Sequence, residues 1–148
     1  MTGPSPALEL AWAAGFFDGE GSFIAVRTND RGTPRIQLLM SVPQKDRRPL
    51  DRFHRALDCG QIYHKVIPHH GGPMYVWQLM GHQACSQAML KLEPYLSEPK
   101  REQIARALDT LEQYRAGLTW NRGRKNKPRL LDNQNDSVLQ CSTHRPTA

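Results

Sequence analysis

A carboxylate at the end of a glycine-rich segment is the side chain of this sequence best placed to do chemistry. Residues 13–21 read AAGFFDGEG, with Glu20 next to last. The dipole of a helix disfavours a carboxylate at its C-terminal end, and a bound cation would supply the missing positive charge. Carboxylate oxygens are ligands that Mg²⁺ accepts, and such a site suits phosphodiester hydrolysis. Glu20 is therefore a candidate metal ligand, although a solvated glutamate at a helix end explains the residue as well.

Small residues recur along the same segment. Ala11, Gly15 and Gly19 stand four residues apart, so they line one face of a helix. Each glycine inside a helix costs about 1 kcal/mol relative to alanine, and close approach of a second helix is the usual compensation. We therefore predict a helix-crossing interface of Ala11, Gly15, Phe16 and Gly19, in which the two Glu20 side chains meet.

The segment occurs once in the chain, so a crossing of two such helices requires two chains. This predicts a homodimer, and a twofold protein reads matching half-sites in a pseudo-palindromic target.

The surrounding residue patterns predict an α+β domain with the order α-β-β-α-β-β-α-α. The predicted helices are Leu8–Gly19, Leu50–Leu57 ended by Gly60, His82–Leu92, and a last helix that Ser97 caps. The predicted strands are Ser22–Thr28, Arg35–Val42, Gln61–Ile67 and Met74–Met80, with reversals at Asn29–Gly32 and His69–Pro73. These elements form one domain over residues 1–118, followed by a basic, flexible tail over 119–148. In that tail Arg122–Arg129 carries five basic residues and no acid.

Charge and cysteine content narrow the class of protein. The chain of 148 residues has a net charge of +6, which favours an anionic partner such as nucleic acid. No apolar run reaches the length of a membrane span, and Met1–Pro6 does not resemble a secretory signal. Three dispersed cysteines, Cys59, Cys85 and Cys141, argue against a disulfide framework or a structural zinc site. We expect an intracellular, reducing compartment; cytoplasm, nucleoid and organelle matrix are not distinguished.

Residues 13–21 resemble the LAGLIDADG signature of homing endonucleases, with Ala13 in place of leucine and Glu20 in place of aspartate. The resemblance extends to Val42–Asp46 (VPQKD) and to Pro94-Tyr95-Leu96 with Lys100 and Gln103. The element order is similar to the αββαββα order of that family over roughly residues 7–117.

The resemblance implies a four-stranded antiparallel DNA-binding saddle in each subunit. It also implies an intron-encoded, site-specific nuclease that makes divalent-metal-dependent double-strand cuts, with Mg²⁺ as the cofactor. RNA of the host intron is a further partner that the resemblance allows.

The same resemblance implies roles for individual residues. Glu20 and the carbonyl of Gly19 would bind metal, Gln44 would order water, and Lys100 would offset charge at the phosphate, although Lys100 stands one residue further from Pro94 than is usual. Arg48 is the further catalytic candidate, with Arg47 as its alternative. Asp18 is expected to be structural.

Alternation along the strands predicts the surface that faces DNA. Arg35, Gln37 and Ser41 share one face of their strand, opposite Ile36, Leu38 and Met40, and Gln61, Tyr63 and Lys65 share one face of the third strand. Arginine pairs with guanine and glutamine with adenine by bidentate hydrogen bonds. Each of these six residues is either a DNA contact or a polar group facing solvent. Tyr75 and Trp77 share a face with Leu79 and are expected in the core.

The main alternative is a nucleic-acid-binding protein without catalysis, such as an RNA splicing maturase or a DNA-binding regulator on the same fold. Retention of Glu20, Gln44 and Lys100 favours the nuclease. Gly60–Tyr63 is similar to the start of a GIY-YIG nuclease but lacks its partner motif. His69-His70 lacks the residues that would complete a His-metal nuclease, and a glycine-rich turn explains it better.

Overall fold

The structure, a computed structural model, describes residues 3–67 and 72–120 and confirms the α+β class. The elements are α1 Pro6–Glu20, β1 Ser22–Asp30, β2 Thr33–Gln44, α2 Arg47–Leu57, β3 Gln61–Ile67, β4 Gly72–Met80, α3 His82–Leu92, a 3₁₀ turn Glu93–Tyr95, and α4 Glu98–Trp120. The observed order is that predicted, with the 3₁₀ turn added between α3 and α4.

Helix α1 begins two residues earlier than predicted because Ser5 caps it. The Ser5 hydroxyl accepts a hydrogen bond from the amide of Leu8 at 3.4 Å, and Pro6 occupies the first helical turn, where its missing N–H costs nothing. The helix ends at Glu20, where the amide of Gly21 donates to the carbonyl of Phe17 at 2.9 Å.

The four strands form one antiparallel sheet in the order β1-β2-β4-β3. The first hairpin turns more tightly than predicted, since pairing continues to Asp30 and Thr33 and only Arg31 and Gly32 form the turn. Both have positive φ, 49° and 86°, as two-residue hairpins require. The predicted reversal at Asn29–Gly32 was therefore two residues too long. The second hairpin joins β3 and β4, and residues 68–71 of its turn lie outside the described residues.

Helix α2 ends at Leu57, the last predicted helical residue, but Asp58 rather than Gly60 stops it. Its C-cap is Asp58, in the left-handed conformation with φ 55°, and its amide donates to the carbonyl of His54. Gly60, with φ 83°, instead directs the chain into β3 beside Trp77. A Cβ at Gly60 would lie 2.4 Å from the Trp77 ring, so close packing as well as φ requires glycine there.

The helices cover one face of the sheet and enclose the core. Phe23, Leu38, Met40, Val42 and Trp77 all point to this face and are buried with side chains of α1 to α4. The strand alternation predicted for Ile36, Leu38 and Met40, and for Trp77, is therefore confirmed. We call the opposite side, where the alternate strand residues lie, the open face; no helix of the described residues covers it.

Helix α4 continues to Trp120, the last described residue, so the predicted boundary near residue 119 and the basic tail stay a prediction. The basic segment Arg122–Arg129 and Cys141 lie outside the described residues. Within the described part of the chain, Cys59 and Cys85 are free thiols, and no helix is long and apolar enough to cross a membrane.

Candidate active site

Lys100, in the first turn of α4, reaches the C-terminal end of α1. Its ammonium donates to the carbonyl of Gly21 at 2.6 Å and to the side-chain carbonyl of Gln103 at 3.1 Å. Burial lowers the pKa of Lys100, although the Asp18 carboxylate acts in the opposite direction. Two predicted catalytic residues that are far apart in sequence, Glu20 and Lys100, thus belong to one end of the molecule.

A second contact fixes the same junction. The Asp18 carboxylate accepts hydrogen bonds from the amide of Ser97, at 3.0 Å and 3.3 Å, and from its hydroxyl at 3.0 Å. The carbonyl of Ser97 accepts from the amide of Arg101, which starts α4. Asp18 therefore holds the beginning of α4 against the end of α1, in agreement with its expected structural role.

Glu20 ends α1 with its side chain exposed. Over residues 3–67 and 72–120, no hydrogen bond or ion pair engages its carboxylate, and no group of three or more His, Cys, Asp or Glu side chains gathers at any point. At this end of the described part of the chain, one subunit therefore offers a single carboxylate without a partner, that of Glu20, which follows the carbonyl of Gly19 in the sequence. Mg²⁺ commonly takes one or two carboxylates and completes its shell with water and phosphate oxygens, so this donor set fits that ion.

Gln44 is the last residue of β2, and the strand register places it at the same end of the sheet. Ser41, three residues earlier, pairs with Ser22 at the start of β1, and their hydroxyls lie 2.8 Å apart. Gln44 continues past this pair, in the direction from which α1 enters the sheet, and pairs with Tyr75 of β4.

Arg48 lies in the first turn of α2 and is engaged close to its own backbone. Its guanidinium forms an ion pair with Asp46, the N-cap of α2, and its side chain is 88% exposed. The side-chain hydrogen bond that Arg48 donates to Asp46 is the main reason why the pKa of Asp46 falls to about 2. The alternative residue, Arg47, pairs with Asp51 at 3.1 Å. The catalytic role of either arginine stays a prediction.

The small-residue face of α1 points away from the rest of the chain. A Cβ built at Gly15 or Gly19 meets no described atom within 4 Å, and Leu8 on the same face is 63% exposed. Ala11 is half-buried. Phe16 differs from these residues because its ring stacks on Trp12 at 5.2 Å and contacts Phe53 at 5.7 Å within the chain.

The six residues predicted to face DNA all lie on the open face. In β2 the register and burial pattern separate Arg35, Gln37 and Ser41 from the buried alternate positions. In β3 the residues Gln61, Tyr63 and Lys65 are exposed, and the Tyr63 hydroxyl donates to the Gln61 side chain at 2.7 Å. Arg35 also pairs with Asp30 at 3.2 Å, on the neighbouring strand.

Solved structures of homing endonucleases have the same arrangement of helices and sheet. I-CvuI, in complex with its target in the presence of Ca, superposes with a TM-score of 0.63 at 21% identity over 92% of this chain and 95% of that chain. The archaeal intron-encoded I-Vdi141I, complexed with DNA, gives 0.59 at 20% over 96% and 89%. I-TnaI gives 0.61 at 15% over 97% and 92%. No protein-family model and no curated protein sequence matches the chain.

The chain has the LAGLIDADG homing endonuclease fold. The resemblance seen in the sequence is thus confirmed at the level of the fold, and the similar structures include proteins bound to their DNA targets.

Sequence reasoning missed several residues of this fold's open face. The register places Gln78 of β4 between Ser41 and Gln61, and it places Ile24 and Met80 on either side of Leu39. The signal was available for β4, because the expectation that Trp77 and Leu79 point to the core assigns Gln78 and Met80 to the other face. The carbonyl of Gly21, which accepts from Lys100, carries no side-chain signal.

Proposed function

We propose that this protein is a site-specific, divalent-metal-dependent DNA endonuclease that acts as a homodimer on a long pseudo-palindromic target. The observation that carries the proposal is the 2.6 Å hydrogen bond from the Lys100 ammonium to the carbonyl of Gly21. It brings a cation to the residue that follows Glu20, at the helix end where the motif that resembles the family's signature terminates.

The exposed face of α1 supports the dimer. A Cβ added at Gly15 or Gly19 would meet no atom of the described residues within 4 Å, and Leu8 extends the same face with an exposed apolar side chain. A second copy packed on Gly15 and Gly19 would compensate the helix-forming cost of the glycines and cover that side chain. It would also bring the second Glu20 to the site, so the metal-binding group is completed only in the dimer.

The residues divide the chemistry between them. The two Glu20 carboxylates, with the Gly19 carbonyls, would hold Mg²⁺, which in such sites lowers the pKa of bound water and stabilises charge on the phosphate. Lys100 lies where it can offset negative charge that develops on the scissile phosphate. Gln44, at the same end of the sheet, is positioned to orient water by hydrogen bonding, and Arg48 would contribute from α2 after leaving Asp46.

DNA would lie along the open face, as it does in proteins that read the major groove with β-strands. Its grooves would meet the polar side chains of β2 and β3.

The same proposal includes an intron-borne origin and an intracellular, reducing compartment. Burial raises the pKa of Cys85 to about 11, so this thiol stays protonated and unreactive.

The test is cleavage of a plasmid library of candidate sites by the full chain with Mg²⁺. The wild type should produce double-strand cuts at one sequence, and Glu20→Gln should bind that sequence without cutting it. Glu112→Gln is the matched control, because it removes the same charge from an exposed position of α4.

Two results would contradict the proposal. Glu20→Gln could cut as the wild type does, in which case residue 20 is not a metal ligand. The wild type could bind a specific sequence with Mg²⁺ and leave it intact, which is the behaviour of a DNA-binding regulator on this fold.

A further inference from the structure

A short row of apolar side chains crosses the middle of the open face. Ile24, Leu39 and Met80 are directly opposed on β1, β2 and β4. None of the three belongs to the hydrophobic core, and Met80 is 49% exposed. Opposed residues on neighbouring strands have Cβ atoms about 5 Å apart, so the three side chains form one continuous strip.

The rows on both sides of these three residues carry no charge. One consists of Val26 and Gln37, and the other consists of Ser22, Ser41, Gln78 and Gln61. The charged side chains of the described open face, Asp30, Arg35 and Lys65, lie further out along the strands. Phosphate contacts, often from charged side chains, position a protein on DNA, whereas sequence is read by hydrogen bonds and apolar contacts to base edges in the grooves. The uncharged rows therefore lie where base edges would be read.

The width of the row also indicates what it contacts. A protein partner covers about 800 Å² on each side of a standard interface, much more than these three side chains and the neighbouring Val26 provide. A methyl group on a base edge matches the size and polarity of the row. In the major groove, the C5-methyl of thymine is the apolar group that a base pair presents.

We propose that Ile24, Leu39 and Met80 contact thymine methyl groups and make this protein prefer T·A pairs at that position of each half-site. The inference rests on the proposed function, since it assigns the open face to DNA. Gln78, directly beside the row, has the amide that pairs bidentately with adenine. The centre of each half-site is therefore expected to be rich in A·T pairs.

Deoxyuridine tests the contact because it removes only the methyl group. Duplexes are first selected from a random library with the full-length Glu20→Gln variant and Mg²⁺, and each thymine of the selected site is then replaced by deoxyuridine. Loss of one buried methyl group should weaken binding about fourfold at the thymine that the row contacts. Thymines elsewhere in the site should tolerate the change.

Two further variants, each in the Glu20→Gln background, connect the effect with the row. Leu39→Ala and Met80→Ala should each bind the thymine and deoxyuridine duplexes with the same affinity. Met80 is 49% exposed and lies outside the core, so the second variant should fold as the wild type does. Val66→Ala is the matched control, since Val66 is 69% exposed and points to the opposite side of the sheet. It should keep the fourfold difference.

The outcomes separate the inference from the proposed function. Specific binding in which every deoxyuridine is tolerated, or in which both variants keep the full discrimination, would overturn the role of the row and leave the nuclease proposal standing. Failure to select any sequence would overturn the DNA-binding function and the inference together.

Discussion

Substitution of Gly15 by leucine should stabilise the single chain and weaken the dimer. Gly15 lies in the middle of α1, and a Cβ at this position meets no described atom within 4 Å. The new side chain therefore causes no clash in one chain. Leucine is a much better helix former than glycine, and the exchange should add about 0.7 kcal/mol to the free energy of unfolding of the monomer.

The same side chain would separate two crossing helices. In a twofold dimer each Gly15→Leu variant chain carries the change, and overpacking costs about 1–3 kcal/mol at each of the two positions. The dimer should then dissociate at least about thirtyfold more easily, since 1.4 kcal/mol corresponds to a factor of ten. Stability of the monomer and of the dimer should thus change in opposite directions.

Sedimentation velocity over a range of protein concentrations measures the dissociation constant, and urea unfolding of the variant under monomeric conditions measures the helix gain. Ala105→Leu is the control, because it places the same side chain at an exposed position in the middle of α4. A Gly15→Leu variant that dimerises as tightly as the wild type and cuts DNA normally would refute the helix-crossing interface.

Three further predictions follow from the fold. Gly60→Ala should lower the free energy of unfolding in urea by about 1–3 kcal/mol more than Gly32→Ala does. Both glycines have positive φ, but only at Gly60 would the added Cβ collide with Trp77. Equal losses in the two variants would contradict the packing argument. The pKa of Asp46 is lowered from 3.8 to about 2, so its stabilisation is complete above pH 3.8 and is lost as the pH falls towards 2. Asp46→Asn should therefore flatten the acid limb of a pH-dependent unfolding series over that window, and an unchanged acid limb would show that the Asp46 pair adds nothing. Asp18→Asn should lower the free energy of unfolding in urea by about 1.5–3 kcal/mol, because it weakens the charge-assisted hydrogen bonds to Ser97 at the start of α4. A loss below about 0.5 kcal/mol would show that these hydrogen bonds do not hold α4 against α1.

The order and type of the elements could be read from the sequence because the local signals agreed with each other. Hydrophobic residues recur with strand alternation in β2 and with helical spacing at Leu50, Phe53 and Leu57, and all of these residues are buried. Boundaries were less predictable where a non-glycine residue takes a positive φ. Arg31 and Asp58 both adopt such conformations, so the first turn was expected too wide and the residue that stops α2 was expected to be Gly60 instead of Asp58.

The site was predictable residue by residue but not as an assembly. The motif indicated Glu20, and the separate resemblance around Pro94 indicated Lys100, yet neither signal contains the acceptor that joins them. That acceptor is the backbone carbonyl of Gly21, and backbone atoms leave no mark on residue type. The open face was incomplete for a different reason. Gln78 was not predicted, although the core positions of Trp77 and Leu79 place the residue between them on the opposite face.

The two contacts at the end of α1 give Asp18 a structural role within the motif. Asp18 holds Ser97 at the start of α4, and three residues later Lys100 donates to Gly21, so one carboxylate fixes the helix that carries the cation. The two contacts involve Asp18 and Gly21, which stand on either side of Glu20 in the sequence. Hydrogen bonds to this helix end therefore fix where Lys100 lies relative to Glu20. A change at Asp18 should therefore alter the rate of the proposed cleavage more than the affinity for DNA, because the hydrogen bonds of this junction involve no side chain of the open face.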